Sequence, residues 1–374
     1  MQIDRRYRGR RRRSPWPIII MIALILIPGV YLLATRTRFF ENPFNPLAPT
    51  ATPTRSAVSY LAEAEDAYEA GLFAKAAESY DRMVELEPEN HEALNRIAWL
   101  WILRGHPERA VPPAKRAVEV EPDAENLSIL AMAQDWNSEF DEAIKTALKA
   151  VDADPLSAKA HATLAEVYAD RNNWQRALEE ARQAETLDPN NAYVIRNLGY
   201  VLSMQGRYEE ALVEYARAAE LEPKLGYIYI SAGNIHMALN EYDSAIAQFQ
   251  RAVEVNPDIP TGYDALGHAS ALNGDPDLGK ATLNKAIDLD PEYAPAHAHL
   301  GRLYYTQLNW ESSIESFTRA FELGLKNEEY YYQLGLAYSY LDDCINGIKW
   351  FEQALQLNPD SKPAQDGIRR CEAQ

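Results

Sequence analysis

The residues of this chain with the capacity for chemistry are seven histidines, two cysteines and a large excess of carboxylates. The histidines are scattered. The closest pair, His297 and His299, points to different faces of a helix, so no metal site is expected from their spacing. Cys344 occupies a turn position that holds Tyr208 and Trp310 elsewhere in the chain. It reads as a small core residue rather than a reactive thiol, and with Cys371 it cannot make a disulfide framework. No Gly-x4-Gly-Lys-Ser/Thr phosphate loop, nucleophile elbow or zinc-binding helix occurs. Gly262, Gly267 and Gly274 fall at recurring or helix-end positions and read as structural. The Asp and Glu residues read mainly as solvated helix faces. No catalytic residue, cofactor or small-molecule substrate is expected.

The charge is unevenly placed. The net charge of -18 combines an arginine-rich start, nine arginines against one aspartate in residues 1–38, with 28 basic and 54 acidic residues after it. An acidic body repels phosphate backbones, which argues against nucleic-acid binding. A 374-residue chain that is 47% hydrophobic and 25% charged exceeds one ordinary core but has a folded composition.

The elements that hold these residues begin with an anchor. Residues 1–15 carry seven arginines, and Ile18–Ala34 contains no charge. At ~1.5 Å per residue, residues 16–35 span a bilayer core of about 30 Å. We expect an uncleaved transmembrane signal anchor over 16–35, with the basic tail 1–15 in the cytoplasm and the rest across the membrane. Residues 36–55 hold Pro43, Pro46, Pro49 and Pro53 and read as an extended linker.

From residue 57 a period governs the chain. Pro88, Pro122, Pro155, Pro189, Pro223, Pro257, Pro291 and Pro359 recur every 33 or 34 residues, with one beat missed at Leu325. Each unit shows two amphipathic stretches joined by a short turn, where Gly71, Gly105, Gly206 and Gly274 can end the first helix. Small residues form columns: Ala64, Ala98, Ala131, Ala165, Gly199, Gly233, Gly267, Gly301 and Gly335 in the first helix, and Ala76, Ala110, Ala143, Ala177, Ala211 and Ala245 in the second. Such seams allow helix axes to approach to ~8 Å. The spacing predicts nine tandem units over 56–360 and a capping helix over 361–374, with Ser361 as its cap. Local irregularity is expected near 274–280, where Asp275-Pro276 and Gly279 occur, and near 323–327.

Residues 192–225 carry Ile195, Leu198, Gly199, Leu202, Gly206, Tyr208, Ala211, Tyr215, Ala218 and Pro223 in the order and spacing that the tetratricopeptide repeat (TPR) uses. The chain therefore resembles the TPR family over about 305 residues. Glu63 in an apolar column and the 33-residue third unit are departures. The resemblance implies an all-α, right-handed helical solenoid, here preceded by the transmembrane helix, whose first helices line a concave groove that binds a protein or peptide. The groove positions the family implies are Asn95, Trp99, Met132, Arg196, Asn197, Tyr200, Asn234, Met237, His268, Arg302 and Tyr305, with Arg196, Asn197, Tyr200 and Asn234 as the preferred patch. Amides there can pair with a peptide backbone and rings can pack its side chains. No first helix pairs lysine with asparagine as the carboxyl-terminal clamps of some relatives do, and the acidic rim favours a basic or neutral partner. The functional expectation is a scaffold in the cell envelope; the alternative is the accessory arm of a separately encoded enzyme or secretion machine.

Overall fold

The computed structural model describes residues 55–373 and, before them, Trp16, Met21, Leu24 and Ile27, which are helical and exposed. The tail, the expected span at 16–35 and the linker otherwise lie outside the described residues. Among the described residues no helix is long and apolar enough to cross a membrane. The chain divides into two units, Met1–Arg55 and Ser56–Gln374, and the repeats belong to the second.

Among the described residues this second unit holds nineteen helices and no strand. The helices run α1 (Ala57–Glu69), α2 (Phe73–Leu86), α3 (His91–Leu103), α4 (Pro107–Val120), α5 (Ala124–Trp136), α6 (Phe140–Ala153), α7 (Ala158–Asp170), α8 (Trp174–Leu187), α9 (Ala192–Met204) and α10 (Tyr208–Leu221). They continue as α11 (Gly226–Ala238), α12 (Tyr242–Val255), α13 (Pro260–Leu272), α14 (Pro276–Leu289), α15 (Ala294–Thr306), α16 (Trp310–Glu322), α17 (Glu328–Tyr340), α18 (Cys344–Leu357) and α19 (Lys362–Glu372). The first eighteen pair in chain order as successive hairpins, 1 to 9.

Local chemistry sets the boundaries. Ser56, Asn90, Asp123, Ser157 and Asn191 each accept a backbone N–H from the first turn of the first helix of hairpins 1–5, satisfying donors that the helix itself leaves free. The same helices end on a left-handed residue. Gly71 takes φ +74°, and Leu72 N–H reaches back to Ala67 O at 2.9 Å, closing the turn. Ser138, Asn172, Asn240, Leu308 and Asp342 fill the same place without glycine's freedom.

The small columns are explained by what faces them. A Cβ on Gly233 would lie 2.4 Å from the Phe249 ring, and one on Gly301 would lie 2.8 Å from Phe317. Hairpins 2–4 pair alanine with alanine instead, as in Ala98 with Ala114, all fully buried. A small residue in the first helix thus lets the second helix approach closely, and the glycine seams use the space left free to seat a ring.

Three expectations need correction or refinement. Residues 274–280 are regular: Pro276 stands at the first helical position, where a missing N–H costs nothing, and Asp275 caps Leu278 N–H at 3.0 Å. At 323–327 the irregularity is present, since α16 is 13 residues long and Gly324 at φ +92° ends it in the missing proline's stead. Ser361 stands at the N-cap of α19 as expected, but its hydroxyl donates to Glu328 and makes no capping bond to the first turn.

The cysteines also require correction. Cys344 and Cys371 form a disulfide, with their Cα atoms 5.3 Å apart, because α19 folds back and lays its last turn over the start of α18. Ala364 and Gly367 complete that face against Phe351. The bond spans 27 residues, and a loop of that length restricts the unfolded chain by roughly 3–4 kcal/mol.

The hairpins also coil until the chain meets itself. The turns of hairpins 1 and 2 dock on the links that follow hairpins 5, 6 and 7. Asp258 accepts Phe73 N–H at 2.9 Å and Ala74 N–H at 2.8 Å, so its carboxylate caps α2 from 184–185 residues away. Asn256 reaches Gly71 O, and Lys224 bonds Glu69 at 2.9 Å. One period further on, His106 bonds Asp290 at 2.7 Å and Glu108 at 2.9 Å, Arg104 lies 3.6 Å from Asp290, and Arg109 pairs with Glu292. Arg104 and Arg109 stack on Trp101 at 4.6 and 5.0 Å.

Candidate functional site

The first helices of the hairpins supply the contacts across the interior, so the family-implied groove positions can be placed one by one. In hairpins 2–5 Asn95, Met132, Arg196 and Asn197 are buried, and Trp99 and Tyr200 are half-buried. Trp99 meets Tyr193 and Tyr227 edge-on at 6.1 and 5.5 Å, three and four hairpins further along the chain. Met132 is buried and accepts the Tyr193 hydroxyl at 3.6 Å, while Asn95 donates to Asn126 at 2.7 Å. Asn197, fully buried, donates to Ala162 O at 3.0 Å.

Arg196 is the hub. It donates to Glu166 at 3.1 Å and to Asn197 at 3.0 Å, and its guanidinium lies over the rings of Tyr200 and Tyr227 at 5.1 and 5.4 Å. Burial alone would lower its pKa; the Glu166 carboxylate more than offsets this and holds the charge on. Glu166 also accepts Trp136 Nε1–H at 3.1 Å, and Tyr200 donates to Asp170. Asp135 stands beside these acids, its carboxyl against that of Asp170. Burial first, then Asp170 and Glu166, hold its carboxyl well above the usual carboxylate range. Three carboxyls thus crowd together with one guanidinium that pairs with Glu166, and their repulsion is relieved when Asp135 keeps its proton. On the side of hairpins 1–3 a cavity of about 710 Å³ adjoins this set, walled by Tyr68, Trp99, Tyr193 and Tyr227 with Arg96 at its edge.

In hairpins 6–9 none of the same positions is fully buried. Asn234 is exposed, and Met237, His268, Arg302 and Tyr305 are half-buried. His268 stacks on His299 at 4.0 Å, and His299 bonds Asp264 at 2.7 Å. Burial, with His299 and Arg302 nearby, lowers the His268 pKa to about 2, so this imidazole is neutral. Arg302 lies 3.8 Å from Glu329, and Tyr305 packs edge-on against Trp310. The preferred patch is therefore split: Arg196, Asn197 and Tyr200 converge in the interior, and Asn234 stands apart on the open row.

Glu166, Tyr193 and Tyr227 are not among the expected groove positions, and His299 is weighed from sequence only as a metal ligand. The signal was there. Glu166 follows Ala165 as Tyr200 follows Gly199, His299 stands three residues before Arg302, and Tyr193 and Tyr227 lie seven residues before Tyr200 and Asn234, on the same helix face. Among the described residues no cluster of three or more histidine, cysteine or acidic side chains is placed to hold a metal ion.

Comparison with known proteins places this architecture. Tetratricopeptide-repeat profiles match residues 61–126, 130–192, 192–225, 260–293 and 328–361, and a TPR-repeat profile matches 233–274. Residues 294–327, where Leu325 replaces the proline, fall outside these stretches. No curated protein matches in sequence. The fold is similar to a crystal structure of the APC/C hetero-tetramer Cut9–Hcn1, with TM-score 0.62 and 17% identity over 79% of this chain. This chain spans 59% of that one. Smaller likenesses are to YrrB, described as a TPR protein with an unusual peptide-binding site (TM-score 0.39, 21% identity, 51% of this chain and 99% of that one), and to a tetratricopeptide repeat protein from Parabacteroides merdae (TM-score 0.48, 16% identity, 75% and 98%). With matched stretches covering well over half of its length, the chain belongs to the tetratricopeptide repeat family.

Proposed function

We propose that this chain is a membrane-tethered scaffold of nine repeats, which docks an extended protein segment along the inner wall of hairpins 6–9 during assembly of a cell-envelope complex. One observation carries the docking role. Positions 234, 268 and 302 recur every 34 residues and carry Asn234, His268 and Arg302, with Met237 and Tyr305 one turn along; Asn234 is exposed and the other four are half-buried. Amide, imidazole and guanidinium groups can pair with a peptide backbone, and the flanking thioether and ring can pack its side chains.

The tether rests on the uncharged run Ile18–Ala34 behind seven arginines. Placement of the repeats outside the cytoplasm draws support from the Cys344–Cys371 disulfide, since such bonds persist in oxidising compartments. Anchoring would raise the local concentration of other membrane-bound partners.

A photo-cross-linker installed at Asn234 or Arg302, with one at the exposed Val213 as control, tests the docking role in cells. An adduct of defined mass from the inner positions and not from Val213 is expected; equal yields from all three would end the proposal. Recovery of a single stoichiometric enzyme in that adduct would recast the chain as an accessory arm. Protease shaving of intact cells tests the topology, because full protection of the carboxyl terminus contradicts placement outside the cytoplasm.

A further inference from the structure

The seam and the interior behind it make opposite demands. Asp135, Glu166, Arg196 and Tyr227 are each at most 8% exposed. Oε2 of Glu166, Nε of Arg196 and the hydroxyl of Tyr227 nonetheless have no hydrogen-bond partner. Buried polar groups without partners oppose the closed state, and they gain partners as soon as water or a peptide enters. These four side chains come from hairpins 3, 4, 5 and 6, in consecutive order along the inner wall. What opposes their hydration is remote from them in sequence: Asp258 on α2, His106 and Arg104 on Asp290, Arg109 on Glu292, and Lys224 on Glu69. Most of these seam contacts are ionic or charge-assisted, a class that salt and solvent weaken readily where exposed.

From this we infer that the inner wall of hairpins 3–6 is a second, cryptic docking face, held shut by the seam and fitted to an extended peptide that carries a basic side chain. It rests on the reading of the inner wall as a peptide-docking surface, and it adds a closed half and the latch that controls it. The charge balance selects the partner. Asp135 and Asp170 lie beside Glu166, which Arg196 pairs at 3.1 Å, so the cluster holds more carboxyls than guanidinium groups and a lysine or arginine entering the wall supplies the missing charge. Peptide N–H groups can meet Glu166 Oε2, and peptide carbonyls can accept from Arg196 Nε–H and the Tyr227 hydroxyl. The aromatic-walled cavity beside the cluster gives the peptide's neighbouring side chain a place to pack.

The test uses the full chain in detergent with its disulfide intact. Nitroxide labels on Arg116→Cys and Asp277→Cys report the separation of hairpins 2 and 7 by electron–electron double resonance. Binding is read with a fluorescein-labelled peptide of alternating lysine and alanine, and with its glutamate counterpart. In the Asp258→Ala/Asp290→Ala variant the distance distribution should broaden and lengthen. Amides of 128–136, 162–170 and 193–200 should exchange at least tenfold faster, and the lysine peptide should bind at least tenfold tighter than to wild type. Adding Asp135→Asn and Glu166→Gln should remove that gain, and the glutamate peptide should show none. An unchanged distance overturns the latch. A gain that survives the Asp135→Asn/Glu166→Gln changes overturns the face, because it would report only attraction to the acidic surface. If the seam variant does not fold, wild type in 1 M sodium chloride supplies the same distance and exchange comparison. Neither readout involves Asn234 or Arg302, so failure here and failure of the docking role of hairpins 6–9 are separable.

Discussion

Hairpins 2–5 and hairpins 6–9 place their inner-wall residues by one rule, yet the two halves meet different fates. Tyr200 and Asn234 are 34 residues apart at the same position of the repeat; the first lies under Arg196 and donates to Asp170, and the second is open to solvent. The glycine turns divide in the same way. A Cβ on Gly71 would lie 2.0 Å from Val255 O and one on Gly105 would lie 2.6 Å from the Tyr293 ring, whereas Gly206 and Gly274 face open space. Identical local structure is thus used twice: once as a contact that shuts the coil, and once as an ordinary exposed turn. The repeat sets the shape of each hairpin, and the seam decides which walls are available.

The largest effect expected from breaking this difference is at the turn glycines. Gly71→Ala should cost about 3 kcal/mol or more, because it adds a backbone clash across the seam to a left-handed strain of roughly 1–2 kcal/mol. Gly206→Ala, at the same φ of +74° but facing open space, should cost only the strain. Urea denaturation of both variants measures the gap, and equal losses would mean the seam is not a stabilising contact.

His106→Gln should cost about 2 kcal/mol, the usual scale for hydrogen bonds to charged partners in a buried site. Burial would lower the pKa of this histidine, but its bonds to Asp290 and Glu108 prevail and push it up to about 9. Because the folded value lies above the unfolded one near 6.5, the contribution is complete below about pH 6.5 and is lost as pH rises through about 9. The difference between variant and wild type should shrink over that window. Burial would raise the pKa values of Asp290 and Glu108, but their bonds to His106 prevail and hold both below the ordinary carboxylate range, so they stay charged there.

Asp135→Asn should act in the opposite sense and stabilise the closed half by about 1 kcal/mol at neutral pH. A carboxyl whose folded pKa is raised weakens the fold as pH climbs above its unfolded value near 4, so the gain should vanish below about pH 4. Thermal melts across pH follow it, and a gain that persists at pH 3 would show that charge is not its source.

The smallest effect belongs to the open half. Leu308 is left-handed at φ +61° and 68% exposed, so Leu308→Gly should gain up to about 1 kcal/mol at an otherwise ordinary turn. Chemical denaturation reports it, and a loss would mean that the Leu308 side chain makes a contact worth more than its strain.

Much of this was legible in one dimension. Pro88 to Pro359 kept the register, Gly71 and Gly105 marked helix ends, and Gly199 with Tyr215 announced a close helix crossing, because each depends on residues within one or two repeats. The site was legible in part. Positions such as Asn234 and Arg302 follow from the repeat column, and the same column reaches Glu166, whose role appears only when Arg196 packs against it. The Cys344–Cys371 bond escaped the reading because it needs the direction in which α19 folds back.

The period and composition of the chain by themselves determined a stack of helical hairpins with an inner wall. Only the tertiary structure decided that the stack closes, since closure is the sum of small rotations between successive hairpins and a 34-residue period carries no record of their angle. That sum brings Asp258 to the start of α2 and Asp290 to His106, contacts between residues 184–185 positions apart, and through them it sets half of the wall inside the molecule and half in solvent.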